Sequence, residues 1–224
     1  MNWRQYAFPA AILGVAAIAG IVVLIANSGG DGGGGTAAAG DCEEVSEPQP
    51  KDVTVRRPTS QLDKSKTYVA TVETSCGPFV IKLDPKQAPK TGASFVKLAR
   101  AGFYDGLGFH RIAPGFVIQG GDPAGNGSGG PGYKIRERPP EAIVYSEGVV
   151  AMAKGGTDPA GTSGSQFFVV TGENANLPPD YALLGQVTKG MEAAHRIEDL
   201  ASSADGRPTR PVVIEKITIS ESAQ

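Results

Sequence analysis

The stretch from Phe109 to Gly132 constrains this chain more than any other. Its first half, Phe-His-Arg-Ile-Ala-Pro-Gly-Phe-Val-Ile-Gln, is apolar with Arg111 and Gln119 set into it. Its second half, Gly-Gly-Asp-Pro-Ala-Gly-Asn-Gly-Ser-Gly-Gly-Pro-Gly, is almost all glycine, proline and small polar residues. The first half predicts two short strands, 109–112 and 116–119, reversed at Pro114-Gly115. The second half suits neither helix nor strand and must be a shaped loop. A charged group is costly to bury unless paired, so Arg111 among strand apolars is either half of a structural ion pair or a functional residue. Gly125, Gly127 and Gly130 match the spacing of a dinucleotide-binding turn. That motif needs a helix opening at its third glycine, and Pro131-Gly132 followed by a charged segment ending in Pro139-Pro140 prevents one.

Ala7 to Ala26 is a run of 20 residues without a charge, the length of a membrane-spanning helix. Arg4 precedes it and acidic residues from Asp31 to Glu44 follow. This asymmetry predicts a single-pass anchor with its N-terminus in the cytoplasm and the rest of the chain outside. The alternative is a signal peptide cut after Leu24-Ile25-Ala26, which releases a secreted protein, although its apolar region is usually shorter, about 7–15 residues. Asp41 before Cys42 argues against lipid attachment there. The expected layout is a cytoplasmic end (1–6), the anchor (7–26), a flexible linker and extended lead-in (27–66), a folded domain (67–220) and a tail (221–224). A net charge of −2 without a basic block excludes a nucleic-acid footprint.

Within the domain, 67–73 and 79–83 read as a hairpin turned at Cys76-Gly77-Pro78. Pro89 to Ala101 carries an apolar stripe at helical spacing and is closed by Gly102. Strands are expected at 149–153, 165–171, 181–187 and 212–219. A second helix is expected over 191–200, with Met191, Ala194 and Ile197 inward and Glu192, His195, Arg196 and Asp199 on a solvated face. Strands with two helices and no βαβ rhythm predict an antiparallel barrel capped by helices.

Ordinary catalytic chemistry has little support. His110 alternates with Arg111 and is expected to point away from it, into the core. Ser165 lacks a nucleophile elbow, and no cluster has metal-ligand spacing, so neither a metal nor a cofactor is expected. There remain Arg111, Phe116, Gln119, Gln166 and Phe168, in strands that flank loops. That set suits a reaction in which no covalent bond is made or broken.

Phe109 to Pro123, and Gly161 to Val169 (Gly-Thr-Ser-Gly-Ser-Gln-Phe-Phe-Val), resemble the cyclophilin family of peptidyl-prolyl isomerases. The resemblance runs collinearly from about Thr67 to Ile219 and includes Gly102 to Gly106. It implies a closed eight-stranded antiparallel barrel with two helices, no cofactor, and a monomer acting on proline-containing peptides and folding proteins. It further implies that Arg111 is the catalytic arginine and that Phe116, Val117, Phe168 and Leu177 form the proline pocket. Gln119 matches the pocket glutamine and Gln166 the glutamine at the groove. Ala153, Lys154 and Gly155 match the peptide-binding strand, where members often carry Ala-Asn-Ala. Two pocket positions depart from the family pattern: Asn176 stands where many members carry a tryptophan linked to cyclosporin binding, and Tyr181 where many carry a histidine. Lys154 departs on the peptide-binding strand. A proline-binding scaffold without catalysis is the alternative reading, and a mere spacer on the tether a third.

Cys42 and Cys76 are the only cysteines. The predicted topology places both in an oxidising compartment, where they are expected to form a disulfide that pins the lead-in to the first hairpin. Two unrelated thiols are the alternative.

Overall fold

The structure, a computed structural model, describes residues 42–202 and 206–223. The expected anchor at 7–26 and the glycine-rich tether lie outside the described residues. Among those described, no helix is long and apolar enough to cross a membrane.

The first two strands, β1 (Lys66–Thr74) and β2 (Phe79–Leu83), form the expected hairpin. In β1, Tyr68, Ala70 and Val72 are buried and alternate with partly exposed Thr67, Val69 and Thr71, as a strand with one face in a core requires. Helix α1 (Pro89–Arg100) starts with proline in its first turn and has no side-chain cap of its own. Glu137, distant in sequence, supplies the acceptor instead, taking hydrogen bonds from the N–H groups of Lys90 and Thr91 (2.7 Å to the latter). A carboxylate there satisfies orphan donors and meets the positive end of the helix dipole.

Next come β3 (Leu107–Ala113), β4 (Val117–Gly120), β5 (Ile135–Arg136), β6 (Val149–Met152), β7 (Thr162–Ser163), β8 (Phe167–Val170), β9 (Leu183–Lys189), α2 (Met191–Glu198) and β10 (Val213–Ala223). Eight strands close an antiparallel barrel in the order β1-β10-β3-β4-β8-β6-β9-β2, as expected. The closing seam is long, pairing β1 with β10 from Lys66↔Ala223 to Thr74↔Ile214. The short strands β5 and β7 pair separately. Helix α1 packs on β10, and α2 on β2, β3 and β4.

The core centres on Phe167, whose ring meets Phe95, Tyr104 and Phe109 edge-on at centroid distances of 5.8, 5.8 and 6.1 Å. Edge-to-face packing adds to the burial of these rings. The buried Tyr104 hydroxyl donates to the Ser165 carbonyl (3.1 Å), so this hydroxyl is not stranded beside the cluster. A second apolar cluster lies apart from this core: Val117, Tyr145, Val149, Ala151, Phe168, Val170 and Ala175. It explains why β6 and β8 read as unbroken apolar runs. One face of each enters the core through Val150, Met152, Phe167 and Val169, and the other joins the second cluster.

Cys42 and Cys76 are joined in a disulfide, which resolves the choice left open by their number. The lead-in that follows Cys42 has no regular secondary structure, but it is anchored along its length. The N–H groups of Glu43, Lys51, Val55 and Leu62 donate to the carbonyls of Ser75, Pro123, Pro131 and Pro89. Val53, Val55 and Leu62 pack against the core. The lead-in is thus a strap whose order comes wholly from contacts with the domain.

One expectation about α2 is corrected. Arg196 is not on a solvated face: it is partly buried and donates to the Cys76 carbonyl (2.8 Å). The bonded cysteines are separated by 34 residues; the chain-entropy model assigns such a link about 3–4 kcal/mol, less any native strain. The Cys42→Ser/Cys76→Ser double variant should therefore lose about that much unfolding free energy in urea denaturation. A loss below about 1 kcal/mol would mean that the strap adds little to the folded state.

Candidate functional site

The placement of Arg111 follows from an irregularity in β3. Phe109 and Ile112 are both buried in the core, a spacing of three that strict alternation forbids. The ladder accommodates it with a bulge: Phe109 pairs with Gly120, Arg111 with Gln119, and His110 is the extra residue. Arg111 therefore comes out exposed, while His110 is partly buried. The alternation on which the expectation for His110 rested does not hold at a bulge; His110 lines a cavity with Phe109 and Asp122 that Arg111 does not share. The His110 Nε2 lies 3.5 Å from Gln119 Nε2. Burial lowers its pKa from the ordinary value, against a smaller opposite effect of Asp122.

Arg111, exposed at its guanidinium end, lines a cavity of about 260 Å³ with Phe116, Val117, Gln119, Ala153, Lys154, Phe168, Leu177 and Tyr181. No carboxylate pairs with Arg111 among the described residues. Its Cζ sits 5.9 Å from the centre of the Phe116 ring, within cation–π range. Phe116 follows a tight turn in which Gly115 has φ 67° and the Phe116 N–H donates to the Ala113 carbonyl (3.1 Å). Proline then glycine with positive φ is the sequence a type II turn requires.

The apolar walls belong to the second cluster. Tyr181 stands edge-on to Phe168 at 5.5 Å. Its backbone is held by Tyr145, whose hydroxyl donates to the Tyr181 carbonyl (2.6 Å) and accepts from the Tyr181 N–H (3.2 Å). Burial pushes the Tyr145 phenol up to about 12, so it stays a neutral donor at physiological pH. Sequence reading passed over Tyr145. Its signal was an aromatic residue with Ile143 and Val144 in what otherwise reads as loop.

Gly155 and Gln166 lie outside this cavity and line a larger one of about 650 Å³, which shares Gln119, Ala153 and Lys154 with the first. Its rim is the glycine loop. The loop is shaped from within by Asp122, which is buried and accepts from the N–H groups of Ala124, Asn126 and Gly127. Gln166 donates to the carbonyls of Gly127 and Gly129 (3.0 and 2.9 Å) and accepts from Gln119 (2.9 Å). The two glutamines thus tie the loop to the arginine strand. Asn176 is exposed in a left-handed conformation (φ 50°), bonded to Asn174, and lines neither cavity.

Helix α2 reaches the same region from behind. The Glu198 carboxylate accepts from the Gly115 N–H (2.6 Å) and the Thr171 hydroxyl (2.7 Å), and meets His195 Nδ1 at 3.2 Å. His195 Nε2 lies 2.8 Å from Glu147. Burial disfavours the His195 cation, but its bonds to Glu198 and Glu147 outweigh this and raise its pKa. Burial likewise disfavours the Glu198 anion, and the bonds from Thr171, Gly115 and His195 outweigh it and hold the carboxyl below its usual range.

A model of the family described as cyclophilin type peptidyl-prolyl cis-trans isomerase matches residues 69–219. Peptidyl-prolyl cis-trans isomerase A of Mycobacterium tuberculosis is 41% identical over 172 residues, an alignment spanning 69% of this chain and 93% of the relative. Peptidyl-prolyl cis-trans isomerase B of Bacillus subtilis is 46% identical over 119 residues, spanning 53% of this chain and 81% of the relative. A crystal structure of a Cryptosporidium parvum cyclophilin-type isomerase superposes with a TM-score of 0.63 at 31% identity, covering 69% of this chain and 98% of that one. The same protein in the presence of the dipeptide Ala-Pro superposes with a TM-score of 0.62, covering 68% of this chain and 98% of that one.

The α2 clamp has a pH signature. His195 has a raised pKa in the folded state, so its contribution is fully present below its ordinary value of 6.5 and is lost as pH rises through the folded value. The lowered Glu198 contributes above its ordinary 4.5 and loses that contribution as pH falls through its folded pKa. The melting temperature of wild type should exceed that of His195→Gln by most near pH 6, with the gap narrowing towards about pH 8. A gap that does not change with pH would rule out a charged His195 in the clamp.

Proposed function

The chain belongs to the cyclophilin-type peptidyl-prolyl cis-trans isomerases, and from that premise we propose that it turns Xaa-Pro bonds in extracytoplasmic proteins with Arg111 as its catalytic residue. The observation that carries this reading is Arg111, without a carboxylate partner among the described residues, on the wall of a cavity of about 260 Å³ that it shares with Phe116, Val117, Phe168 and Leu177. The Ala-Pro dipeptide used with the Cryptosporidium relative supports a proline-bearing occupant for that cavity.

The chemistry follows from the amide. Resonance gives the C–N bond a rotation barrier of about 18–20 kcal/mol. Proline brings cis and trans within about 1 kcal/mol of each other, so both are populated but exchange slowly. Rotation removes the conjugation and returns the lone pair to the prolyl nitrogen. A guanidinium N–H donated to that lone pair stabilises the twisted state and has little to bind in either planar state. Phe116, Val117, Phe168 and Leu177 hold the ring while the acyl side turns, Tyr181 offering an apolar body with a polar tip. Gln119 and the segment that follows β6, at Ala153, Lys154 and Gly155, hold the peptide, with Gln166 fixing Gln119. Lowering the barrel's target barrier by about 8 kcal/mol would accelerate exchange roughly a million-fold. No atom or electron is transferred, so the reaction calls for no cofactor.

The disulfide between Cys42 and Cys76 supports an oxidising compartment. The apolar run at 7–26, with Arg4 before it and acids after, supports an anchor that leaves the domain outside the cytoplasm.

In a coupled-protease assay on an Xaa-Pro peptide, Arg111→Ala should lose more than about tenfold in kcat/KM, or about 1.4 kcal/mol of transition-state stabilisation, with an unchanged melting temperature. Turnover equal to wild type would remove Arg111 from the mechanism. Cyclosporin should bind only weakly, because exposed Asn176 offers neither an indole donor nor a large apolar face. Nanomolar affinity in titration calorimetry would contradict this.

A further inference from the structure

Lys154 sits where the two cavities meet and lines both. Its side chain is only 9% exposed, an uncommon state for an ammonium that is not closely paired. Its partners are few: the Asp158 carbonyl at 3.2 Å, the Asp180 carboxylate at 3.9 Å, and the face of the Tyr181 ring at 5.6 Å. An ammonium carries three donors, and the Asp180 carboxylate is itself 45% exposed and beyond hydrogen-bond distance.

The nearer acid is already committed. The Asp158 carboxylate is gripped by Lys134 at 2.7 and 2.8 Å and by the Gly155 N–H at 3.0 Å, so its acceptor positions are largely taken, and Lys154 acts on it only through space. Across the two cavities the lining holds three cations, Arg111, Lys134 and Lys154, against the carboxylate of Asp158; counting Asp180, 3.9 Å from Lys154 beyond the lining, an excess of one positive charge remains. This local positive excess stands on a chain whose formal net charge is −2. A groove with an excess of one sign between low-dielectric walls focuses its field on whatever enters.

We infer that Lys154 is a specificity-determining residue and that the preferred substrates are acidic: segments in which a carboxylate side chain flanks the proline and completes the coordination of the Lys154 ammonium. The inference rests on the catalytic reading of the smaller cavity, since it takes proline in that cavity and the flanking side chain in the larger one. A neutral flanking residue leaves the ammonium as it is. A carboxylate gives it a short, half-buried, charge-assisted bond, and a lysine adds a third like charge beside Arg111 and Lys154.

The test measures kcat/KM of the full-length protein on matched peptides that differ at one position, with Glu, Gln or Lys placed one or two residues before proline or one after. At low ionic strength Glu should exceed Gln by about fivefold at one position at least, with Lys below Gln. The Glu-to-Gln ratio should fall towards one in Lys154→Gln, persist in Lys154→Arg, and shrink in wild type as salt is raised to about 0.5 M. A wild-type ratio near one at all three positions overturns the proposal. So does a preference that survives in Lys154→Gln, which would place the recognition elsewhere. If Lys154→Gln does not fold, the salt dependence of the wild-type ratio decides: a ratio indifferent to salt overturns it. Failure of the underlying reading is distinct, showing as no wild-type turnover of the Gln peptides, and it would take this proposal with it.

Discussion

In a closed barrel every strand residue faces either the core or the outside, and a single extra residue reverses the assignment for all that follow. The bulge at His110 does this in β3. Without it, Phe109 and Arg111 would share a face, and the barrel would have to bury a guanidinium beside the Phe167 cluster or expose Phe109. With it, Phe109 and Ile112 both stay in the core, Arg111 is exposed and His110 is partly buried. The desolvation cost of an unpaired arginine and the packing value of two large apolar residues favour the same solution. The candidate site exists because the core is satisfied this way.

Turning Arg111 outward would not by itself make a cavity. The walls come from the second apolar cluster, and so from strands β6 and β8 having apolar residues on both faces. The connections carrying Tyr145, Leu177 and Tyr181 cover the outward face of those strands. Tyr145, with both hydrogen bonds to the backbone of Tyr181 satisfied, keeps this cover in place. The opposite wall, Phe116, is set by a two-residue turn whose glycine N–H is held from α2 by Glu198. The pocket is therefore made by segments that meet only when the barrel has closed.

The strap from Cys42 to Leu62 belongs to the same pattern. It touches Ser75 beside the disulfide, Pro123 and Pro131 in the glycine loop, and Pro89 at the start of α1. Two of these anchor points lie in the loop that rims the larger cavity. Asp122 shapes that loop from inside and Gln166 ties it to Gln119. The loop has a high glycine content and little intrinsic preference, so its conformation is set by these few directed hydrogen bonds.

Much of this was legible from local signals. The hairpin of β1 and β2, both helices and the turn at Pro114-Gly115 follow from apolar spacing, proline and glycine, because each depends on neighbours within a few residues. The pocket residues were legible through long motifs in order, and the structure brings Arg111, Phe116, Val117, Gln119, Ala153, Lys154, Phe168, Leu177 and Tyr181 round one cavity. The bulge was not read: regular alternation sends His110 into the core, whereas the ladder shifts register between Phe109 and Arg111. The capping of α1 by Glu137, the grip of Glu198 on Gly115, the service of Tyr145 to Tyr181 and the order in the strap were not legible. Each joins residues far apart in the chain, and nothing in local propensity or periodicity says which distant carboxylate or hydroxyl will arrive. The amino-acid sequence by itself determined the elements, their order and the residues with chemistry to offer. Only the tertiary structure decided which of them face one another, because that depends on where barrel closure spends its two faces.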